Sequence, residues 1–441
     1  MDGIRKNFFV TSHNVSPHPL MRARKKTKQL YYIVLEYFVN SCTLDTEYAN
    51  GLLSQYRTLF VGDEHPLVMT DANRESYIRM LVDDFLKPWR REHLIMLMCD
   101  IALIVSDKVA ITKAHSMIAK YLSHNKQEKL NELIKVLNSE GEIPPLFANA
   151  EVLINQFRTN RTFVLKKEMR IMVTANMSAG KSTLINAIIG KPLTRTSLEA
   201  CTANLCFLYN KPFEDERVHL FASPLNINAT FSDLDNTDKD EVSNIASYFT
   251  ALTRTQPRIC LIDTPGVNFA TYKNHGELTR KAIKEEEYDK LIYVLNASLL
   301  GTDDEIKHLK FVCENVPNEK VIFALNKLDC FNKADDSITS SIEGVKQDLL
   351  KIGFENPIIC PLSAYFSLLL KMKQNNEELS EDEQDVYDMY VKKFGKPEYD
   401  LSAHYDDNIV SRPQNDDYLT QMCSISGLYG LENILYGGAS K

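Results

Sequence analysis

From residue 169 onward the chain repeats one pattern: a run of four to six mostly apolar residues, a polar turn, then a segment of helix length. The runs fall at 169–174, 205–209, 259–263, 291–296, 321–325 and 358–361. Short strands alternating with helical segments predict a parallel sheet wrapped by helices, because a helical crossover returns the chain to the same end of the sheet. The expected fold class is therefore α/β, with a mostly parallel sheet flanked by helices. Ligands of such sheets bind beyond the carboxyl ends of the strands, so the turns after these runs are the places to look for chemistry.

The first third of the chain reads differently. Residues 1–25 contain Pro17 and Pro19 among scattered polar groups, which predicts a flexible leader. Over 26–165 the apolar residues recur at helical spacing, as in Leu30, Ile33, Val34, Tyr37 and Phe38, or Leu130, Leu133, Ile134 and Leu137. An all-helical domain is expected there, followed by an α/β core over 166–370. An acidic insertion containing Glu381, Asp382, Glu383 and Asp385 then leads to a closing helix near 427–435, within a final segment 371–441. At 441 residues the chain exceeds what one hydrophobic core usually serves.

A formal net charge of -8 offers nucleic acid no global attraction, so no nucleic-acid partner is expected. The nine scattered cysteines form no C-x-x-C pair, which suits a reducing compartment. The most apolar stretch, 93–105, is interrupted by Asp100 and is too short to span a bilayer. A cytoplasmic protein, at most peripheral at a membrane, is the expectation. The basic cluster Arg22, Arg24, Lys25, Lys26 and Lys28 reads as a solvated helix entrance.

The turn after the first run is Ala175-Asn176-Met177-Ser178-Ala179-Gly180-Lys181-Ser182-Thr183, followed by a segment of helical character. A strand, a small-residue loop ending in Gly-Lys-Ser and a helix form the setting of a phosphate-binding loop, whose backbone N–H groups surround phosphates at a helix N-terminus. Asn176 through Thr183 are the expected nucleotide contacts, with the Lys181 ammonium at the β- and γ-phosphates and the Ser182 hydroxyl on magnesium. Alanine replaces glycine at position 175, which is tolerable only where φ is negative.

Asp263-Thr264-Pro265-Gly266 follows the third run and has the form of a nucleotide-sensing switch, with Asp263 reaching magnesium through water and the Gly266 N–H reaching the γ-phosphate. Asn326-Lys327-Leu328-Asp329 follows the fifth run. A carboxylate at 329 accepts from guanine N1–H and N2–H₂ but meets an acceptor at N1 of adenine, so Asp329 predicts selection of GTP over ATP. Ser363-Ala364 fits a final guanine loop. Three motifs in this order, each at a strand end, predict a magnesium-dependent GTPase.

These residues resemble the dynamin-like GTPases, and among them the bacterial group. The resemblance is carried by 178–187, by Thr202 within 199–203, by 291–296, by Thr302-Asp303-Asp304-Glu305, and by 427–435; it covers about 166–437. It implies that Thr202 ligates magnesium and helps hold the attacking water. It also implies that Ser178 binds a monovalent cation, potassium or sodium, in place of an arginine finger. Ser178, Lys181, Thr202 and Gly266 are then the catalytic set, and Ser182, Thr202 and Asp263 the metal set. Pairing of two G domains into a homodimer is implied too, as is a dynamin-like or membrane-protein partner. Met177 stands where eukaryotic dynamins place glutamine. The last expected helix ends close to Lys441, so a compact GTPase with a helical cap and no membrane-inserting element is expected.

Two other readings start from the same motifs. An Era- or septin-like switch shares Asp263 to Gly266 and Asn326 to Asp329, but it ordinarily carries the first loop glycine. A G domain that binds GTP with little turnover is the other, motivated by Ala175 and Met177.

Overall fold

The computed structural model describes residues 7–65, 67–82, 92–176, 178–193, 204–221, 225–235, 242–250, 257–266, 275–298, 301–331, 337–406 and 417–436. The chain divides into two compact units, 1–166 with 211–228, and 167–210 with 229–441.

The first unit is built on helices α1 (Lys25–Cys42), α2 (Thr46–Phe60), α3 (Arg74–Val82), α4 (His93–Val105), α5 (Lys108–Ala119), α6 (His124–Leu137) and α7 (Glu151–Leu165). All thirteen residues of α4 are buried, which identifies the apolar stretch as the central core helix. It stops at Ser106, in the left-handed region at φ 44°, and Asp107 immediately caps α5 by accepting from the N–H groups of Val109 and Ala110. Among the described residues no helix is long and apolar enough to cross a membrane.

Asp100, the interruption in that stretch, has no exposed surface and accepts three hydrogen bonds. Tyr56 donates at 2.8 Å, Tyr31 donates to the second oxygen, and His18 Nε2 donates to it at 2.9 Å. The tautomer of His18 follows from its other nitrogen, which accepts from the Leu20 N–H at 3.0 Å. A buried carboxylate is tolerable only when saturated in this way.

This arrangement corrects the expectation of a flexible leader. Phe8, Phe9, Val10, Val15 and Leu20 are buried. Asn160 and Gln156, one turn apart on α7, pair with the peptide groups of Ser12 and Asn14 as a neighbouring strand would, at 2.8–3.0 Å. Polar side chains hold the segment, so it lacked the apolar period that announces an element.

A second correction concerns 211–228, expected within the α/β core but grouped with the first unit. There Lys211 is buried against Asp215 at 2.6 Å and against His219 Nε2 at 3.1 Å, and the short strand β3 (His219–Leu220) bridges back to Asn226. His219 donates from Nδ1 to the Phe9 carbonyl at 2.7 Å. Burial, then the Lys211 charge, holds its pKa well below the ordinary histidine range, so the imidazole is neutral and Lys211 donates to it.

The second unit contains β1 (Glu168–Ala175), β2 (Cys206–Lys211), β4 (Ser243–Tyr248), β5 (Arg258–Asp263), β6 (Lys290–Asn296), β7 (Val321–Asn326) and β8 (Ile358–Pro361). Within it these strands lie in the order β4-β2-β5-β1-β6-β7-β8. β1 pairs in parallel with β5 on one side and β6 on the other, and β6, β7 and β8 continue in parallel; β2 runs antiparallel to β5. The strand order therefore reverses at β1, which opens a crevice at the carboxyl ends. Register aligns those ends: Val173 faces Asp263, Ala175 faces Val294, Asn296 faces Asn326 and Leu325 faces Pro361.

Helices α8 (Lys181–Ile189), α9 (His275–Glu285), α10 (Asp303–Asn315), α11 (Ile338–Ile352) and α12 (Ala364–Gln374) accompany the sheet. The acidic insertion forms α13 (Glu381–Phe394), opened by a capping box between Ser380 and Glu383, and α14 (Tyr418–Ile425) and α15 (Leu428–Tyr436) close the unit. Lys371 on α12 meets Glu432 on α15 at 2.5 Å with neither side chain exposed. The same ammonium donates to the carbonyls of Ile188 and Thr250, so the buried charge is fully partnered.

Candidate nucleotide site

Ala175 closes β1 as a strand residue, fully buried and paired with Val294. It is not among the described residues with positive φ; the left-handed positions of the loop are Ser178 at 60° and Gly180 at 87°. The methyl at 175 therefore carries no backbone strain. The requirement for glycine lies at 180, where a Cβ would stand 2.3 Å from Asn326 Nδ2. The Leu184 N–H then bonds the Gly180 carbonyl at 2.9 Å and α8 begins at Lys181.

Lys181 and Asp263 form a buried ion pair at the head of this loop, Nζ against Oδ1, with side chains 7% and 0% exposed. Asp263 Oδ2 has no hydrogen-bond partner among the described residues. Burial pushes the Asp263 carboxyl above its ordinary range, against the pull of Lys181. Such an orphaned oxygen on a buried carboxylate suits a hydrated divalent cation, which brings both compensating charge and water donors. Ser182, half-buried on the first turn of α8, supplies a further hard oxygen donor. Among the described residues no cluster of three His, Cys, Asp or Glu side chains exists to hold a metal alone. A cation held at Asp263 and Ser182 would complete its shell with oxygens from outside the protein, water among them, as magnesium commonly does.

The loop after Asp263 is tied down on both sides. Thr264 Oγ1 donates to the Val173 carbonyl at 3.0 Å, and Thr279 Oγ1 donates to that of Pro265 at 2.8 Å. Gly266 is the last described residue of this turn, and Met177 and Thr202 lie outside the described residues.

Asn326 joins the two halves of the site. Its Nδ2 donates to the Ala179 carbonyl at 2.9 Å and its Oδ1 accepts from the Ala364 N–H at 2.9 Å. Lys327 takes the left-handed conformation, φ 68°, turning the chain into Leu328 and Asp329. Asp329 accepts from Ser363 Oγ at 2.7 Å on Oδ1 and from the Tyr390 hydroxyl at 2.9 Å on Oδ2. Lys393 donates to the Asp329 carbonyl at 2.7 Å. Asn296, at the end of β6, donates to the Ser178 carbonyl at 3.4 Å, and Asn176 donates to Thr302 Oγ1 at 3.3 Å. The predicted residues Asn176, Ser178 to Lys181, Asp263, Asn326, Asp329, Ser363 and Ala364 are thus linked by contacts among themselves and their neighbours. Tyr390 and Lys393 went unrecognised in the sequence: they lie more than sixty residues beyond Asp329, in a helix whose visible signal is its acidity. Asn296 and Thr302 were visible only as parts of a strand tip and a helix start.

Residues 171–328 match the family profile described as "Dynamin family". An uncharacterized protein encoded in the xynA 3' region of Caldicellulosiruptor sp. strain Rt8B.4 is 26% identical over 64% of this chain and 67% of its own length. The probable transmembrane GTPase FZO-like, chloroplastic, of Arabidopsis thaliana is 24% identical over 57% of this chain and 24% of its own. Dynamin-like protein A of Bacillus subtilis strain 168 is 27% identical over 38% of this chain and 14% of its own. The alignments with the latter two relatives thus span about a quarter and a seventh of those proteins.

Proposed function

This chain carries a GTPase domain of the dynamin family, and on that premise we propose that it binds GTP with magnesium and hydrolyses it to GDP and phosphate. The observation that carries the reading is the bridge made by Asn326. One side chain ties the carbonyl of the phosphate loop at Ala179 to the Ser363-Ala364 turn, and that turn holds Asp329. The distance between phosphate-binding and base-binding groups is thereby fixed, as recognition of a whole nucleotide requires.

The chain's own groups divide the work. Backbone N–H groups of the loop and the first turn of α8 receive the phosphates. Lys181 would exchange the Asp263 carboxylate for phosphate oxygens, and Asp263, through water, together with Ser182 would hold a magnesium ion. A magnesium ion held there would supply positive charge against that developing on the phosphate oxygens. Thr202 and the Gly266 N–H would position the attacking water at the γ-phosphate, and Ser178, left-handed at φ 60°, would hold a monovalent cation that supplies charge there. These last roles follow from the family resemblance. So does pairing of two G domains, through which each orders the switches of the other. Nothing in the site favours an Era- or septin-like switch.

The test is direct. Lys181→Ala abolishes GTP binding or turnover, and Ser182→Ala weakens binding with magnesium more than binding in EDTA, as read by fluorescent-nucleotide titration. Wild-type affinity in both variants refutes the assignment.

A further inference from the structure

Asp329 is held by a side chain from outside the guanine motifs. Tyr390 lies on α13, the helix of the acidic insertion, and is 8% exposed. Its ring packs edge-on against Phe366 at 5.6 Å and Phe394 at 6.2 Å, which fixes where the hydroxyl points. The hydroxyl donates to Asp329 Oδ2 at 2.9 Å, while Ser363 Oγ donates to Oδ1 at 2.7 Å. Burial, then the Asp329 charge, raises the Tyr390 phenol above its ordinary range, so it remains protonated and a donor. Three residues on, Lys393 donates to the main-chain carbonyls of both Asp329 and Phe331. α13 thus grips this turn by its side chain and by its backbone.

The acceptor count gives that grip a meaning. A carboxylate offers about four lone-pair sites, two on each oxygen. Ser363 occupies one on Oδ1 and Tyr390 one on Oδ2, and the second site on Oδ2 meets only the Cys330 thiol at 3.6 Å, a weak donor that a guanine N–H displaces, so each oxygen keeps one site for a strong donor. The guanine edge presents two neighbouring donors, N1–H and N2–H₂, that call for one acceptor on each oxygen. With both neutral donors in place the carboxylate is barred from rotating about its Cβ–Cγ bond, and the two remaining sites face one way.

We infer that Tyr390 is a positioning residue for base recognition: its hydroxyl locks the Asp329 carboxylate in the orientation that reads both guanine donors, making the inserted helix α13 part of the specificity apparatus. The inference rests on the proposed guanine-nucleotide function and deepens it.

Tyr390→Phe removes the hydroxyl and keeps the ring packing. Dissociation constants of the full chain for GTP, GDP and ITP, which lacks the N2 amino group, read the effect. The variant is expected to bind GTP and GDP about tenfold more weakly, the scale of one hydrogen bond to a charged group. ITP, which needs only one acceptor, is expected to lose less, so the preference for GTP over ITP shrinks. A purely structural role for the hydroxyl weakens all three nucleotides equally. Unchanged affinities, equal losses, or tighter GTP binding, as when the hydroxyl competes with the base, each overturn the inference. Asp329→Asn serves as the independent control, because its amide is expected to favour xanthosine triphosphate. A shift to that nucleotide together with an unaltered Tyr390→Phe profile sinks the Tyr390 inference alone. No guanine nucleotide binding by the wild type, or no shift in Asp329→Asn, sinks the guanine site and this inference with it.

Discussion

His308 lies beneath the phosphate loop, where one nitrogen is committed and the other is not. Its Nε2 pairs with Thr174 Oγ1 at 3.0 Å, one residue before Ala175, and its Nδ1 has no partner among the described residues. Burial, followed by the charge of Arg280, lowers its pKa to about 4 from an ordinary 6.5. Between those values the unfolded chain binds the proton more tightly, so the stability from a neutral His308 is complete above pH 6.5 and is lost as pH falls toward 4. The slope is about 1.4 kcal/mol per pH unit across that window. His308→Gln keeps an amide able to reach Thr174 and removes the titration. Urea unfolding of the variant at pH 7, 6 and 5 is expected to show a shallower acid dependence than wild type by about that slope. Parallel curves would mean that His308 does not titrate there. At the residue scale, a short motif fixes both residue type and strand-end position for Lys181, Asp263, Asn326 and Asp329, so their placement was legible. His308 and Tyr390 were not, because a histidine or tyrosine at helical spacing reads as core until its partner from another element is in view.

At the scale of elements, the α/β alternation was readable because each buried strand is a run of apolar residues bounded by turns, and β1, β2, β5, β6, β7 and β8 lie at the expected runs. β4 was missed: Ser243–Tyr248 mixes serine, asparagine and alanine with a single isoleucine. The segment containing Ser12 and Asn14 escaped for a related reason, since its order comes from Asn160 and Gln156 on α7. That mechanism is testable. Asn160→Ala leaves the Ser12 N–H and carbonyl buried without these bonds and is expected to cost about 1–3 kcal/mol. Limited proteolysis is expected to cut Asn160→Ala near its amino terminus under conditions in which the wild type is resistant. Equal cleavage would show that apolar burial of Phe8, Phe9 and Val15 holds the segment without the amide.

For the whole molecule, the expected boundaries left 211–228 in the α/β core, whereas it groups with the first unit, because its anchors Lys211, Asp215 and His219 look like ordinary surface residues until they are found buried together. Self-association is the property at this scale that the family resemblance raises, and the residues that would carry it, 194–203 and 267–274 among the switches, are outside the described set. The physical argument comes from hydrolysis itself. Ser178 is neutral, so on the proposed reading the monovalent cation it holds takes the place of an arginine finger, and a switch ordered by a second copy, which excludes water from the site, strengthens what that cation contributes. Association should then be strongest with a transition-state mimic, weaker with GTP and least with GDP. Light scattering of the full chain in potassium-containing buffer, with each ligand in turn, measures this order. The mass is expected to rise toward twice that of the single chain with the mimic and to stay near it with GDP, and Lys181→Ala is expected to remove the difference. A mass independent of nucleotide in the wild type, with turnover intact, would make each G domain catalytically self-sufficient.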